Sequence, residues 1–261
     1  MQFNVFLSGG GLKGAYQYGF FKELYKIHPT FDVKHVYASS VGALNAGPIV
    51  VKRVDTLHQF WDNKEGKHPF ETIVKGWYDY RIYPYKLIFR MMQHSAVFEG
   101  IMETPFNDFW NSLDYFDLDA LKNKLTIVAY DSSFKKPVFL NKYKTSKDLY
   151  ASVAASTRHP YLFRQSRLID GNIVPFEDIA KHATERGHIR EEREGGGEND
   201  WLILDLGGNQ YDNIAYPYVY GPDIKKYNSF SSFTLDNKKI KELVHEGGKD
   251  AIDFWAKIKK N

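Results

Sequence analysis

Apolar residues recur along the first fifty positions with two different periods. Residues 2–7 (QFNVFL) form a short β-type run, and residues 33–38 (VKHVYA) form a second. Between these runs, apolar and aromatic residues follow the spacing of one helix face: Leu12, Tyr16, Phe20, Leu24 and Ile27. The stretch 39–51 (SSVGALNAGPIVV) then indicates a turn into a helix rich in small residues. This order of strand, loop, helix, strand, turn and helix predicts an α/β fold with a parallel sheet.

The pattern is less regular in the rest of the chain. Further candidate strands are short apolar runs at 125–130 (LTIVAY), 137–140 (PVFL), 167–169 (RLI) and 201–206 (WLILDL). Residues 185–200 (ERGHIREEREGGGEND) carry charge and glycine without periodicity, which predicts a flexible surface loop. Residues 236–260 predict a terminal helix that is interrupted or bent near Gly247 and Gly248. The whole chain, residues 1–261, is expected to form one domain.

Composition narrows the classes of protein that fit. The 261 residues include no cysteine, which excludes disulfides, thiolate zinc sites and a cysteine nucleophile. With 35 basic and 32 acidic residues the net charge is +3, so charge gives no argument for nucleic-acid binding. The N-terminus lacks a signal-peptide pattern, and no apolar run reaches the roughly 18 residues of a membrane span. The expectation is a cytoplasmic protein that is soluble or attached only at a membrane surface.

Glycines cluster in the loop between the first strand and the first helix. Gly9, Gly11 and Gly14 have the spacing of the dinucleotide-binding fingerprint. That fingerprint requires an acidic residue at the end of the second strand, but the nearest acid, Asp32, precedes that strand. A P-loop is excluded because Ala15 follows where Lys-Ser/Thr is needed. The remaining alternatives are a turn that serves only packing and a loop that supports chemistry.

A serine stands where the dinucleotide fold would place its acid. The segment ASSVG (38–42) follows a strand and opens a helix, which is the context of the G-x-S-x-G turn that presents a nucleophilic serine. Such a turn needs small residues two positions before and two positions after the serine. Ser40 has Ala and Gly there, whereas Ser39 would have the larger Tyr37 and Val41. Ser40 is therefore the predicted nucleophile.

The glycine loop and the serine turn explain each other. Loops that follow neighbouring parallel strands lie at the same edge of a sheet, so residues 9–11 are expected beside Ser40. Consecutive backbone N–H groups without side chains can converge on the oxyanion of an acyl-transfer reaction. A serine nucleophile also needs a general base. Residues 151–178 end a helix, form a strand and place Asp170 at the end of that strand.

These three motifs, in this order, resemble those of the patatin-like phospholipase family. The family has a glycine-rich loop with a basic residue, a G-x-S-x-G turn and an Asp-Gly-Gly/Ala turn. The matching segments here are GGGLKG at 9–14, ASSVG at 38–42 and DGN at 170–172. The resemblance covers residues 4–50 and 148–180 well, residues 202–208 loosely and residues 51–124 hardly at all.

The resemblance implies a three-layer α/β/α fold with a mainly parallel central sheet. It implies a lipid acyl hydrolase of phospholipase A type, with Ser40 as nucleophile and Asp170 as its base, a dyad that uses no histidine, metal or cofactor. It also implies that the N–H groups of Gly9, Gly10 and Gly11 form the oxyanion hole. The expected supporting residues are Lys13, Gly14, Gly42 and Gly171.

Two positions depart from the family pattern, and other assignments stay open. Ala38 replaces a glycine and Asn172 replaces glycine or alanine, changes that stiffen the turns or alter the activity but remove no reacting atom. A Ser-His-Asp esterase is the nearest alternative, with His182, His188 or His245 as its base. An alternative of a different class is a non-catalytic lipid- or nucleotide-binding protein on the same shell.

Residues 51–124 are predicted to form a helical and aromatic insertion. Within it, residues 76–92 (GWYDYRIYPYKLIFRMM) mix Trp and Tyr with Arg and Lys, which suits a membrane interface. The insertion is therefore a candidate lid or lipid-entry surface, unless its rings fill a core over the sheet. The expected partners are a phospholipid or another acyl-ester substrate and, peripherally, a membrane, but no nucleic acid.

Overall fold

The computed structural model describes residues 2–62, 118–157, 167–188, 201–207, 216, 218–223, 226–227 and 237–260. Within these ranges the strands form one sheet: β1 (Gln2–Leu7), β2 (Asp32–Ser39), β3 (Leu125–Asp131), β4 (Lys136–Leu140), β5 (Leu168–Asp170), β6 (Trp201–Leu204) and β7 (Val219–Tyr220). The helices are α1 (Gly14–Ile27), α2 (Val41–Val50), α3 (His58–Trp61), α4 (Leu118–Lys124), α5 (Ser146–Thr157), α6 (Phe176–Glu185) and α7 (Asn237–Ile258).

Parallel pairing dominates the sheet. The strands lie in the order β4-β3-β2-β1-β6-β7. The pairs β3-β2, β2-β1, β1-β6 and β6-β7 are all parallel. β4 and β5 pair antiparallel with β3. β1 lies between β2 and β6, so the chain extends the sheet outward from β1 in both directions. In open α/β sheets, a change in the direction in which strands are added opens a crevice at the carboxyl ends of the strands, and ligands bind there.

Alternate residues of β1 face opposite sides of the sheet. Val5 and Leu7 join a core that includes residues of α1, α2 and α7, whereas Phe6 joins a second core that includes residues of α6. Helices therefore cover both faces. The predicted three-layer α/β/α fold with a mainly parallel sheet is confirmed.

The predicted strands occur close to their expected positions. Their ends differ from the prediction by no more than two residues, and the two-residue β7 is too short to show periodicity. Residues 63–117 of the predicted insertion and residues 189–200 of the predicted loop lie outside the described residues. The lid and the flexible loop therefore stay predictions. Among the described residues, no helix combines the length and hydropathy needed to cross a membrane.

The terminal helix corrects the predicted interruption, whereas the predicted bend stays a prediction. α7 runs through Gly247 and Gly248 without interruption. Gly247 packs directly on α1, because a Cβ at this position would lie 2.1 Å from the Tyr16 carbonyl oxygen. This glycine therefore allows two helices to approach closely and does not break the helix that contains it.

Gly247→Ala and Gly248→Ala should change stability in opposite directions. A Cβ at Gly248 would meet Glu23 Cβ at 3.6 Å, an ordinary contact, so Gly248→Ala should raise the free energy of unfolding by up to about 1 kcal/mol through helix propensity. Gly247→Ala should lower it by about 1–3 kcal/mol, because α7 must move away from α1. Urea unfolding of both variants measures the difference. Equal stabilisation by the two alanines would contradict the close packing.

Candidate active site

Ser40 lies on a sharp turn between β2 and α2. Its backbone has φ 52° and ψ −126°, a conformation that residues with a side chain rarely adopt. The Ser40 N–H donates to Ser156 Oγ at 2.9 Å, and Ser156 Oγ donates to the Val128 carbonyl at 2.5 Å. These bonds hold the turn. The Ser40 side chain is half-buried at the start of α2, where unpaired helix N–H groups favour negative charge.

The residues on either side of Ser40 are small for different reasons. A Cβ at Gly42 would lie 2.2 Å from the Leu7 carbonyl oxygen, so only glycine allows α2 to approach β1 this closely. Ala38 is fully buried, and its methyl group joins the core below the turn. The turn therefore accommodates this departure from the glycine of the motif.

β5 brings Asp170 to Ser40 along β3. Ser39, the last residue of β2, pairs with Val128 of β3, and Asp170 pairs with the next residue, Ala129. β2 and β5 meet end to end on one edge of β3, because β4 occupies the other edge. The Ser40 hydroxyl donates to Asp170 Oδ2 at 2.9 Å. The structure thus brings together the two residues predicted as nucleophile and base.

The turn after β5 orients the Asp170 carboxylate. Asp170 is 6% exposed, and its Oδ1 accepts the N–H of Asn172 at 2.8 Å. A Cβ at Gly171 would lie 1.9 Å from the Val128 carbonyl oxygen, so only glycine lets this turn lie against β3. With Oδ1 held by the backbone, Oδ2 is the oxygen that faces Ser40.

The glycine loop lies against Ser40. A Cβ at Gly9 would lie 2.6 Å from Ser40 Cβ and 2.8 Å from Asn172 Cγ. The Gly9 N–H donates to Asn172 Oδ1 at 2.9 Å. Gly11 has a φ of 60°, which favours glycine. Within the described part of the chain, the N–H groups of Gly10 and Gly11 have no acceptor. Both residues are partly exposed, so these groups can bind a ligand or water.

The family of the chain follows from comparison with known sequences. The model of the family described as patatin-like phospholipase matches residues 5–179, more than half of the chain. The chain belongs to the patatin-like phospholipase family. This confirms the resemblance that the three motifs carry.

The solved structures that resemble this chain include a bacterial protein. The patatin-like chain is similar to a chain in the crystal structure of VipD from Legionella pneumophila, with 16% sequence identity and a TM-score of 0.43. The similarity covers 78% of this chain and 49% of that chain, so this chain spans about half the length of its neighbour. No curated protein matches the chain.

A buried polar network lies below the glycine loop of this patatin-like protein. Gln17 Nε2 donates to the Ser8 carbonyl at 2.9 Å. Asn45 Nδ2 donates to the Gly14 carbonyl at 2.9 Å and to Gln17 Oε1 at 3.1 Å. The indole N–H of Trp61 donates to Asn45 Oδ1 at 2.8 Å. The network thus holds one carbonyl at each end of the loop, which restricts the directions of the N–H groups between them.

Lys13 lies beneath the same loop and is 3% exposed. Burial lowers the pKa of Lys13, and the negative charge of Asp205 opposes this shift. Asp205 follows β6, and its Oδ1 accepts the N–H of Gly207 at 2.8 Å. Asp205 is 5% exposed, so both charges lie inside the protein and attract each other. Lys13 also lies against the loop, because a Cβ at Gly10 would lie 3.3 Å from Lys13 Cε. Its supporting role stays a prediction.

Two histidines that were alternative bases lie on the α6 side of the sheet. The Nδ1 atoms of His182 and His188 are 3.4 Å and 2.8 Å from the Tyr37 hydroxyl. The ring of His188 also stacks on that of His35, with centroids 3.9 Å apart. Within the described residues, neither alternative base is hydrogen-bonded to Ser40. The third alternative, His245, is exposed on α7.

Three residues that hold the site belong to no motif. Ser156 supports the Ser40 turn, and Gln17 and Asn45 hold the glycine loop. Asn45 does carry a signal in the sequence, because it is the one side chain with polar atoms in the apolar helix α2. In the structure it is fully buried. A lone buried amide in an apolar helix predicts a specific partner. Ser156 and Gln17 have no comparable signal in the sequence.

Proposed function

We propose that this chain is a serine acyl hydrolase of phospholipase A type, with Ser40 as nucleophile and Asp170 as general base. The observation that carries this proposal is the 2.9 Å hydrogen bond from the Ser40 hydroxyl to Asp170 Oδ2, formed on a strained turn. A nucleophile bonded to an oriented base is the arrangement that covalent catalysis requires. The family supports fatty-acyl esters of lipids as the substrate class.

In the first half of the reaction, Asp170 takes the Ser40 proton while the Ser40 oxygen attacks the ester carbonyl carbon. The resulting oxyanion accepts hydrogen bonds from N–H groups of residues 9–11, and each such donor stabilises the transition state by about 2.7–4 kcal/mol. The carbon–oxygen bond to the alcohol then breaks, and Asp170 gives its proton to the alcohol oxygen. The acyl group remains on Ser40.

In the second half, water attacks the acyl carbon and Asp170 takes one of its protons. The bond from the acyl carbon to the Ser40 oxygen breaks, the proton returns to that oxygen, and the fatty acid leaves. Asp170 ends as the carboxylate with which it began. Because one residue serves as base and then as acid in each half, the scheme needs no histidine.

Covalent labelling tests the proposed nucleophile directly. A fluorophosphonate should add once to the protein, and peptide mass spectrometry should place the adduct on Ser40. Ser39→Ala is a matched control, because the Ser39 hydroxyl is buried and has no hydrogen-bond partner among the described residues. This variant should label at the parent rate, and it leaves Ser40 as the single serine of the turn. Adduct formation in Ser40→Ala would contradict the assignment.

Product analysis tests the proposed substrate class. Phosphatidylcholine and phosphatidylglycerol vesicles should yield free fatty acid and lysophospholipid, and the chelator EDTA should leave the rate unchanged. Cleavage of p-nitrophenyl butyrate without any vesicle hydrolysis would keep the Ser40 chemistry but overturn the phospholipid assignment. A parent protein that is inert to both substrates and to the fluorophosphonate would favour the non-catalytic alternative.

A further inference from the structure

Asn172 lies between the base and the glycine loop. It is part of the 3₁₀ turn Gly171–Ile173, which follows β5 directly. Its own N–H donates to Asp170 Oδ1 at 2.8 Å, and its side-chain oxygen accepts the Gly9 N–H at 2.9 Å. One residue thus contacts both the carboxylate of the proposed dyad and an N–H group of the proposed oxyanion hole.

The Gly9 N–H is aimed by groups other than Asn172. Gln17 Nε2 holds the Ser8 carbonyl at 2.9 Å inside the core. In a trans peptide the carbonyl and the following N–H point in opposite directions, so this bond turns the Gly9 N–H away from Gln17. Gln17 is fully buried and its amide oxygen is held by Asn45, so the direction of the Gly9 N–H is built into the fold.

The acceptor of this N–H lies beside the nucleophile. A Cβ at Gly9 would come within 2.6 Å of Ser40 Cβ and within 2.8 Å of Asn172 Cγ. The side-chain oxygen of Asn172 therefore accepts a preoriented backbone N–H next to Ser40. An acyl oxygen bound to that N–H during attack by Ser40 would need the same hydrogen bond, and one N–H does not serve both acceptors well.

We propose that Asn172 controls access to the Gly9 N–H: its side-chain oxygen occupies this donor in the resting protein and leaves when an acyl oxygen takes its place. This inference rests on the proposed Ser40 chemistry. Asn172 is half-buried, and its neighbour Ile173 is 53% exposed, so the amide can rotate outward without entering the core. Esters whose oxygen competes best with the amide for this N–H in the transition state are therefore hydrolysed fastest.

Two substitutions at this position should have opposite effects. Asn172→Ala removes the competing oxygen and should raise kcat for p-nitrophenyl butyrate by about 3- to 10-fold, the equivalent of one hydrogen bond, with little change in KM. Asn172→Asp keeps an acceptor but adds negative charge beside the developing oxyanion, and should lower kcat by about 10-fold or more. A purely structural role would lower kcat in both variants. Ile173→Ala, one residue along the turn, is the matched control and should keep the parent rate.

A trifluoromethyl ketone inhibitor gives a second measurement, because its adduct with the serine carries an oxyanion. Its inhibition constant should fall in Asn172→Ala by about the factor by which kcat rises. Asn172→Gly should behave as Asn172→Ala does, which guards against an effect of one variant on folding. If neither variant is faster or binds the ketone more tightly while activity still depends on Ser40, the inference is overturned. If Asn172→Ala/Ser40→Ala remains active, the proposed function itself has failed.

Discussion

Replacement of Ser40 with alanine should lower kcat/KM for ester hydrolysis by about 10⁴-fold or more, because the variant has no oxygen to carry the acyl group. Ser40 is half-buried and its turn is held through backbone N–H and carbonyl groups, so the fold should survive. Hydrolysis of p-nitrophenyl butyrate, with circular dichroism as a check on folding, measures the effect. Ser39→Ala should keep the parent rate.

The matching change at the base extends this result. Asp170→Asn keeps the shape of the side chain but removes its ability to take a proton, and should lower kcat/KM by about 10³–10⁴-fold. Residues that act as one unit are not additive, so the double variant should be no slower than Ser40→Ala alone. A double variant that is slower by the product of the two single effects would show that Ser40 and Asp170 act independently, against the proposed dyad.

The second large effect concerns stability in acid. Burial lowers the pKa of His35 to about 3, and repulsion from His188 acts in the same direction. His35 is neutral in the folded protein but has a pKa of about 6.5 when unfolded, so the unfolded chain binds the additional proton below that pH. His35 should therefore lower the free energy of unfolding by about 1.4 kcal/mol for each unit by which the pH decreases from 6.5 to 3.

His35→Gln tests this expectation. The amide keeps polar atoms near the Asn123 carbonyl and the Thr126 hydroxyl, which His35 contacts at 3.2 Å and 2.8 Å, but it does not titrate. Urea unfolding at intervals from pH 8 to 4 should show a shallower loss of stability below pH 6.5 than in the parent. His245→Gln, on the exposed face of α7, is the control. An unchanged acid slope in His35→Gln would contradict the expectation.

The site residues that a sequence motif predicts are those at positions where the neighbouring backbone leaves room for few residue types. At Gly42 and Gly171 a Cβ would lie 2.2 Å or less from a carbonyl oxygen, so any other residue would displace a turn. These constraints act on residues that are close to Ser40 and Asp170 in the chain, so a short sequence motif is enough to predict them. β1 could also be predicted from a short segment, because successive apolar residues of this strand face two different cores.

The supporting contacts escape prediction because they join distant parts of the chain through ordinary residues. Ser156 is 116 positions from the Ser40 N–H that it accepts, and Asn172 is 163 positions from Gly9. Their partners depend on how β3 and β5 pair, and a three-residue strand gives no register by its pattern. Gly247 shows the related difficulty that a glycine can break a helix or allow close packing, and only the position of α1 decides between them.

The end-to-end meeting of β2 and β5 also sets the moment at which a newly made chain becomes reactive. Ser40 precedes its partner by 130 residues. At a synthesis rate of about 5–20 residues per second, the serine is made several seconds or more before Asp170. In that interval β1 and β2 can pair, but the serine has no base beside it. The proposed activity toward lipids therefore begins only after Asp170 has been made and β5 has docked on β3.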